Sequence, residues 1–142
     1  MGAVGDDERI VSVAERLDGH RAALGSEQVP YSEELTLLGV RNTEEAMRAC
    51  LDLLRPEQPP SALFALTNQC TVGAVRALRS LGLSGRVALV GIDDFETADL
   101  IDPPVTVISH GVEETGRTAA RLLPAKLIPR GPGEIPGTAG HR

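Results

Sequence analysis

The chain has 142 residues, a formal net charge of −6, and 42% hydrophobic residues with only 2% aromatic residues. This length favours a single domain, and this hydrophobic content is too high for a disordered chain. Because contact with phosphate groups requires clustered lysine and arginine, the acidic balance argues against a nucleic-acid-binding surface on this chain.

The first half of the chain alternates short apolar runs with amphipathic segments. Ala3 and Val4 predict a first strand, and apolar residues recur at helical spacing over residues 10–24. Residues 35–38 predict a second strand. A second helix is expected over residues 43–54, with Thr43 as its N-cap, since threonine can accept a hydrogen bond from the first turn.

The second half continues the alternation. Strands are predicted at residues 62–66, 86–92 and 105–108, and helices at residues 71–81 and 111–123. Eight of the last 19 residues are glycine or proline, which predicts a tail at residues 124–142 without a packed core. The expected organisation is therefore one domain over residues 1–123, followed by this tail.

The strands are apolar along their whole length and are separated by helices. Such strands are typical of a parallel sheet that is covered on both faces. Since crossovers between parallel strands are right-handed, the sequence predicts an α/β fold with a doubly wound parallel sheet.

Polar residues follow the predicted strands, at the edge where open parallel sheets bind their ligands. They are Asp6, Asp7, Thr67, Asn68, Gln69, Asp93, Asp94, Ser109 and His110, none of them basic. Carboxylates and amides suit a neutral ligand rich in hydroxyl groups and suit phosphate poorly. The glycines form neither a P-loop nor a dinucleotide-binding fingerprint. The alternative is that these residues merely begin ordinary loops.

Other site chemistries are weakly supported. Cys50 and Cys70 each stand alone, which indicates buried reduced thiols, and the histidines lack the spacing of metal ligands. Ser109 and His110 are adjacent on a strand and would point to opposite faces, so they do not indicate a catalytic triad. We therefore expect no enzyme activity, no catalytic residue, no metal and no cofactor.

Several segments together resemble the C-terminal effector subdomain of the LacI/GalR transcriptional regulators, over roughly residues 1–123. The family's sequence features are matched by Thr67-Asn68-Gln69, residues 73–78, Val90-Gly91-Ile92-Asp93-Asp94, Pro104-Val105-Thr106-Val107 and residues 15–24. This subdomain has the periplasmic-binding-protein-like fold. His20 and Ile92 stand where the family usually has aromatic residues.

The resemblance implies a site for a sugar-type effector. Arg16 and Asp93 would bind sugar hydroxyls, Asn68 would line the pocket, and Asp6 or Asp7 would lie at its rim. Arg41 stands where many members have an aromatic residue that stacks on the sugar, and its guanidinium could stack or bind an acidic effector.

Each of the three main positions also has a structural alternative. Arg16 could be an exposed helix residue paired with Glu15 or Asp18. Asn68 could cap the following helix, and Asp93 could be a turn residue.

The resemblance also implies partners. The regulator would be a homodimer, with contacts through the helix at residues 71–81 and through residues 95–101. Operator DNA would be bound by a helix-turn-helix outside this chain. The N-terminal effector subdomain, which completes the cleft, would also lie outside this chain. We expect this chain alone to bind sugar weakly.

Two alternatives to a sensor of this type stay open. A periplasmic sugar-binding protein for transport shares the fold but requires a signal peptide, whereas residues 1–9 are acidic. A receiver-like signalling domain requires an aspartate after the third strand and a lysine after the fifth, where Asn68 and Ser109 stand. No apolar run reaches the roughly 18 residues of a membrane helix, and we expect a cytoplasmic protein.

Overall fold

A computed structural model of the chain describes residues 1–93, 102–109 and 111–127. The chain divides into two units, Met1–Ser109 and His110–Arg142.

The first unit contains a five-stranded sheet. Its strands are β1 (Gly2–Val4), β2 (Thr36–Leu37), β3 (Ala62–Ala65), β4 (Ala88–Ile92) and β5 (Thr106–Ile108). They lie in the order β2-β1-β3-β4-β5, and every neighbouring pair is parallel. The prediction of a parallel α/β sheet is confirmed.

Three helices of the first unit cover both faces of the sheet. They are α1 (Val11–Ser26), α2 (Thr43–Leu54) and α3 (Asn68–Ser80). Because successive strand residues point to opposite faces, Leu63 of β3 packs with the buried residues of α2 and α3, whereas Phe64 packs with Val13 and Leu17 of α1. This two-sided cover confirms the predicted doubly wound arrangement.

Two helices begin at residues other than those predicted. The N-cap of α2 is Asn42, whose side chain accepts a hydrogen bond from the Glu45 backbone nitrogen, so the assignment of Thr43 as the cap is wrong. Helix α3 begins at Asn68, three residues before the predicted start. Its N-cap is Thr67, whose hydroxyl accepts from the Cys70 backbone nitrogen at 3.3 Å.

The predicted second strand is also shorter in the structure. Residues Glu33–Leu35 form a 3-10 helix, and β2 has only two residues. The apolar run at residues 35–38 therefore marks the position of the strand better than its length.

The described part of the second unit contains one helix, α4 (Val112–Leu127), which continues beyond the predicted end at residue 123. Arg117 pairs with Glu113 one turn earlier on this helix. Val112, Leu122 and Leu123 are exposed. The predicted start of the tail at residue 124 stays a prediction. None of the helices in the described ranges is both long and apolar enough to cross a membrane.

Candidate functional site

The carboxyl ends of all five strands lie along one edge of the sheet, because the strands are parallel. The residues that follow them are therefore brought to that edge from separate parts of the chain. They include Asp6 after β1, Arg41 after β2, Asn68 after β3, Asp93 after β4 and Ser109 after β5. Asp94 and His110 lie outside the described residues.

Arg16 of α1 reaches the same edge. Its Nη1 atom donates a hydrogen bond of 2.9 Å to the carbonyl oxygen of Leu66, the residue directly after β3. Arg16 is half-buried, and Asp18 accepts from Arg21 at 3.2 Å. The alternative that Arg16 is an exposed helix residue is therefore wrong, whereas its proposed pairing with Glu15 or Asp18 stays a prediction.

Asn68 is half-buried at the first position of α3. Since the cap of this helix is Thr67, the alternative that Asn68 serves as the cap is also wrong. The Asn68 amide is therefore not needed to cap α3.

Asp93 has a φ of 64°, in the left-handed region where aspartate and asparagine are the best tolerated residues after glycine. Its backbone nitrogen donates to the Ile108 carbonyl oxygen at 3.0 Å. This bond ties the end of β4 to the end of β5. Asp93 is therefore a turn residue by its backbone, which leaves its carboxylate compatible with a binding role.

A pocket of about 280 Å³ lies beyond the ends of β1 and β2. It is lined by two acidic residues, two basic residues and a glycine: Asp6, Asp7, Arg9, Arg41 and Gly39. The glycine has a φ of 82°, which side-chain-bearing residues rarely adopt. A larger residue at this turn would be strained.

Asp7 and Arg9 form an ion pair within this pocket. Arg9 Nε donates to Asp7 Oδ1 at 3.0 Å and to Oδ2 at 2.9 Å, and Arg9 Nη2 also contacts Oδ2. The side-chain hydrogen bonds from Arg9 lower the pKa of Asp7 to about 2. Asp6 is half-buried, and its Oδ1 accepts from the Asp7 backbone nitrogen at 2.7 Å.

Sequence reasoning missed part of this chemistry. Arg16 and Arg41 were expected at the site only from the resemblance, and Arg9, which the structure places in the same pocket as Arg41, was not expected there. Arg9 follows Asp7 by two residues, a spacing that lets one loop carry both charges. That spacing was the available signal.

His20 was another residue whose environment the sequence did not reveal. It lies on α1 with only 8% of its surface exposed, and its ring centroid is 5.5 Å from that of Phe64. In the described part of the chain, its Nε2 has no hydrogen-bond partner. Burial lowers the pKa of His20, with smaller contributions from the N-terminal ammonium and Arg21. It is therefore a buried residue of the core.

A second pocket, of about 370 Å³, lies at the opposite edge, where β4 and β5 begin. Its lining is mainly apolar and includes Val75, Leu78 and Val105. The charged and amide side chains therefore mark the carboxyl edge as the candidate site. In residues 1–93, 102–109 and 111–127, no three histidine, cysteine or acidic side chains gather as a metal-binding group.

Comparisons with known proteins identify the domain. Residues 2–139 match the model of the periplasmic binding protein-like domain. The chain is 32% identical over 125 residues to the HTH-type transcriptional regulator CelR of Thermobifida fusca, covering 87% of this chain and 37% of CelR.

Solved structures agree with this match. A regulatory protein of the LacI family from Chloroflexus aggregans superposes with a TM-score of 0.81 at 28% identity, over 93% of this chain and 48% of that one. A complex of the transcriptional regulator CelR with cellobiose gives a TM-score of 0.76 at 32% identity, over 88% and 39%.

The chain thus spans between about a third and a half of the length of these relatives. They are regulators of transcription, and the match extends over nearly all of this chain. The chain belongs to the family of periplasmic binding protein-like domains, in the form found in LacI-type transcriptional regulators.

Proposed function

We propose that this chain forms one half of the effector-binding cleft of a LacI-type transcriptional regulator. A sugar-type effector would be held at the carboxyl edge of the sheet by Arg16, Asn68 and Asp93, with Asp6 and Arg41 at the rim. The observation that carries the proposal is the bond from Arg16 to the Leu66 carbonyl oxygen. This bond places the Arg16 guanidinium, which is carried by α1, at the sheet edge where the polar residues that follow the strands lie.

The side chains suit a ligand that presents many hydroxyl groups. Guanidinium groups donate to hydroxyl oxygens, carboxylates accept from hydroxyl hydrogens, and an amide does both. Arg16, Asp93 and Asn68 supply one group of each kind. The complex of CelR with cellobiose, in which a relative is bound to a sugar, supports a sugar-type effector.

The relatives support the regulatory role over transport, because they are regulators of transcription. In the proposed whole protein, the second wall of the cleft and a helix-turn-helix come from segments outside this chain. The regulator acts as a homodimer on operator DNA in the cytoplasm. The effector changes the regulator's DNA affinity only as far as it binds one dimer state more tightly than the other.

The proposal is tested by thermal unfolding of the 142-residue chain with a panel of neutral mono- and disaccharides, cellobiose included. A ligand at ten times its Kd stabilises the folded state by about 1.4 kcal/mol, which is a measurable rise in Tm. Because half of the cleft lies elsewhere, we expect binding weaker than micromolar. Micromolar or tighter binding would contradict the half-cleft arrangement.

Asp93→Asn is the matched variant for this test. Asparagine tolerates the left-handed backbone of residue 93 as well as aspartate does, so the turn after β4 is retained while the carboxylate acceptor is lost. The sugar-induced rise in Tm is expected to shrink in this variant. A folded chain whose Tm responds to no sugar, or an unchanged response in Asp93→Asn, would overturn the proposed site.

A further inference from the structure

The charges around the pocket beyond β1 and β2 define the effector more narrowly. We propose that Arg41 selects an effector that carries a carboxylate next to its hydroxyl groups, that is, a sugar acid such as a uronic or aldonic acid. This inference rests on the proposed function and names the ligand class of the same site.

Arg41 is the basic residue of this pocket that is available to a ligand. Arg9, the other one, is held by both carboxylate oxygens of Asp7. Within the described part of the chain, the Arg41 guanidinium forms no ion pair and no side-chain hydrogen bond, and Arg41 is exposed. An arginine fork placed in this way can bind a carboxylate through two parallel hydrogen bonds.

The two carboxylates that follow Arg41 in sequence, those of Glu44 and Glu45, are both engaged elsewhere, and Glu44 Oε1 accepts from Arg76 Nη1 at 2.8 Å. Glu45 Oε2 accepts from the Arg41 backbone nitrogen at 2.9 Å, and this hydrogen bond lowers the pKa of Glu45 more than any other contact does. Glu45 therefore binds the main chain before α2. It reduces the local positive potential without blocking the guanidinium.

The acidic side of the pocket limits how much charge the ligand can carry. Asp6 is half-buried. In the described part of the chain, only its Oδ1 atom accepts a hydrogen bond, from the Asp7 backbone nitrogen. A carboxylate there accepts from hydroxyl groups and repels a dianion such as phosphate about twice as strongly as a monoanion at the same distance. Asp6 and Arg41 together therefore match a monoanion with hydroxyl groups.

The test is titration calorimetry of the 142-residue chain with two matched pairs, glucose with glucuronate and galactose with galacturonate. At least one acid is expected to bind about two- to fivefold more tightly than its neutral partner, which corresponds to the roughly 0.5 to 1 kcal/mol that an exposed charge pair contributes. The preference is expected to weaken as salt is added, because an exposed pair is screened.

Two variants separate Arg41 from general surface charge. Arg41→Gln is expected to bind the acid and the neutral sugar equally. Arg55→Gln removes the same charge at the other end of α2, where Arg55 Nη1 lies 3.9 Å from Asp52 Oδ1. This variant is expected to keep the preference for the acid over the neutral sugar.

Three outcomes would overturn the inference. The first is that in both pairs the neutral sugar binds as tightly as its acid, which leaves the proposed sugar site intact. The second is an acid preference that persists in Arg41→Gln. The third is that no member of either pair binds. In that case the wider panel of neutral sugars decides the proposed function separately.

Discussion

A Cβ atom added to Gly73 of α3 would lie 2.5 Å from the Cβ of Ala46 on α2, and 2.8 Å from the Thr43 carbonyl oxygen. Only a glycine lets the two helices approach so closely. Helix α2 begins two residues after Arg41, and α3 begins with Asn68. The contact between Gly73 and Ala46 therefore helps to hold the residues of the candidate site in place.

Gly73→Ala is expected to destabilise the chain by about 1 to 3 kcal/mol, because the added methyl group must push α2 and α3 apart. Alanine's higher helix propensity offsets up to about 1 kcal/mol of that cost. Gly19→Ala in α1 is the matched control, since a Cβ there meets no atom within 4 Å. Urea unfolding followed by circular dichroism should show Gly19→Ala stabilised. Equal midpoints for the two variants would contradict the close packing.

The cap of α2 provides a second prediction. The Asn42 side chain accepts from the Glu45 backbone nitrogen at 2.9 Å, and replacing such a cap with alanine costs about 0.5 to 2 kcal/mol. Asn42→Ala is therefore expected to lower the urea midpoint clearly. Thr43→Ala, at the first helical residue, is expected to change it by much less. The opposite ranking would restore Thr43 as the cap.

The class of fold was predictable from the sequence because the spacing of apolar residues indicates which positions are buried. The apolar runs at residues 62–66 and 86–92 contain β3 and β4. Helix starts were less predictable, since Asn42 and Thr43 are adjacent and both residue types favour the cap position. Only the backbone conformation distinguishes them, and Asn42 is the residue with extended φ and ψ.

The candidate site was predictable in position but not in electrostatics. The order of strands and helices placed Asp6, Asn68 and Asp93 at one edge of the sheet. The ion pair of Arg9 with Asp7 depends on the path of a short loop, which no periodic pattern reports. The bond from Arg16 to Leu66 joins residues 50 positions apart, so it follows only from the packed structure.

The burial of His20 makes stability depend on pH. Burial lowers its pKa below the ordinary value of 6.5, so the folded chain binds a proton less readily than the unfolded chain. Stability should therefore be unaffected by His20 well above pH 6.5, and should fall as the pH drops through 6.5 toward the lower pKa of the folded state.

His20→Phe tests this dependence. Phenylalanine keeps a ring against Phe64, which lies 5.5 Å from the ring of His20, and removes the titrating group. Urea unfolding at pH 7.5 and pH 5.5 should show a smaller loss of stability in the variant than in the native chain. The remaining titratable groups are common to both proteins and cancel in the comparison. An equal loss in the two would show that His20 does not contribute.

Arg16 provides the most direct test of the sugar site. If its guanidinium donates to a ligand hydroxyl, Arg16→Ala removes a charged hydrogen bond worth about 1.5 to 3 kcal/mol, or roughly a 10- to 100-fold loss in affinity. The variant is measured by titration calorimetry with whichever sugar stabilises the native chain. Unfolding is followed in parallel, because Leu66 also loses the donor to its carbonyl oxygen.

Arg21→Ala is the matched control on the same helix. Arg21 is an exposed cation that pairs with Asp18 at 3.2 Å and lies 5.0 Å from the centre of the Tyr31 ring. Its loss removes the same charge from α1 without touching the sheet edge, so sugar affinity should be unchanged. A similar drop in both variants would indicate a general charge effect. Unchanged affinity in a folded Arg16→Ala chain would mean that Arg16 only ties α1 to the end of β3, and the effector would then bind without it.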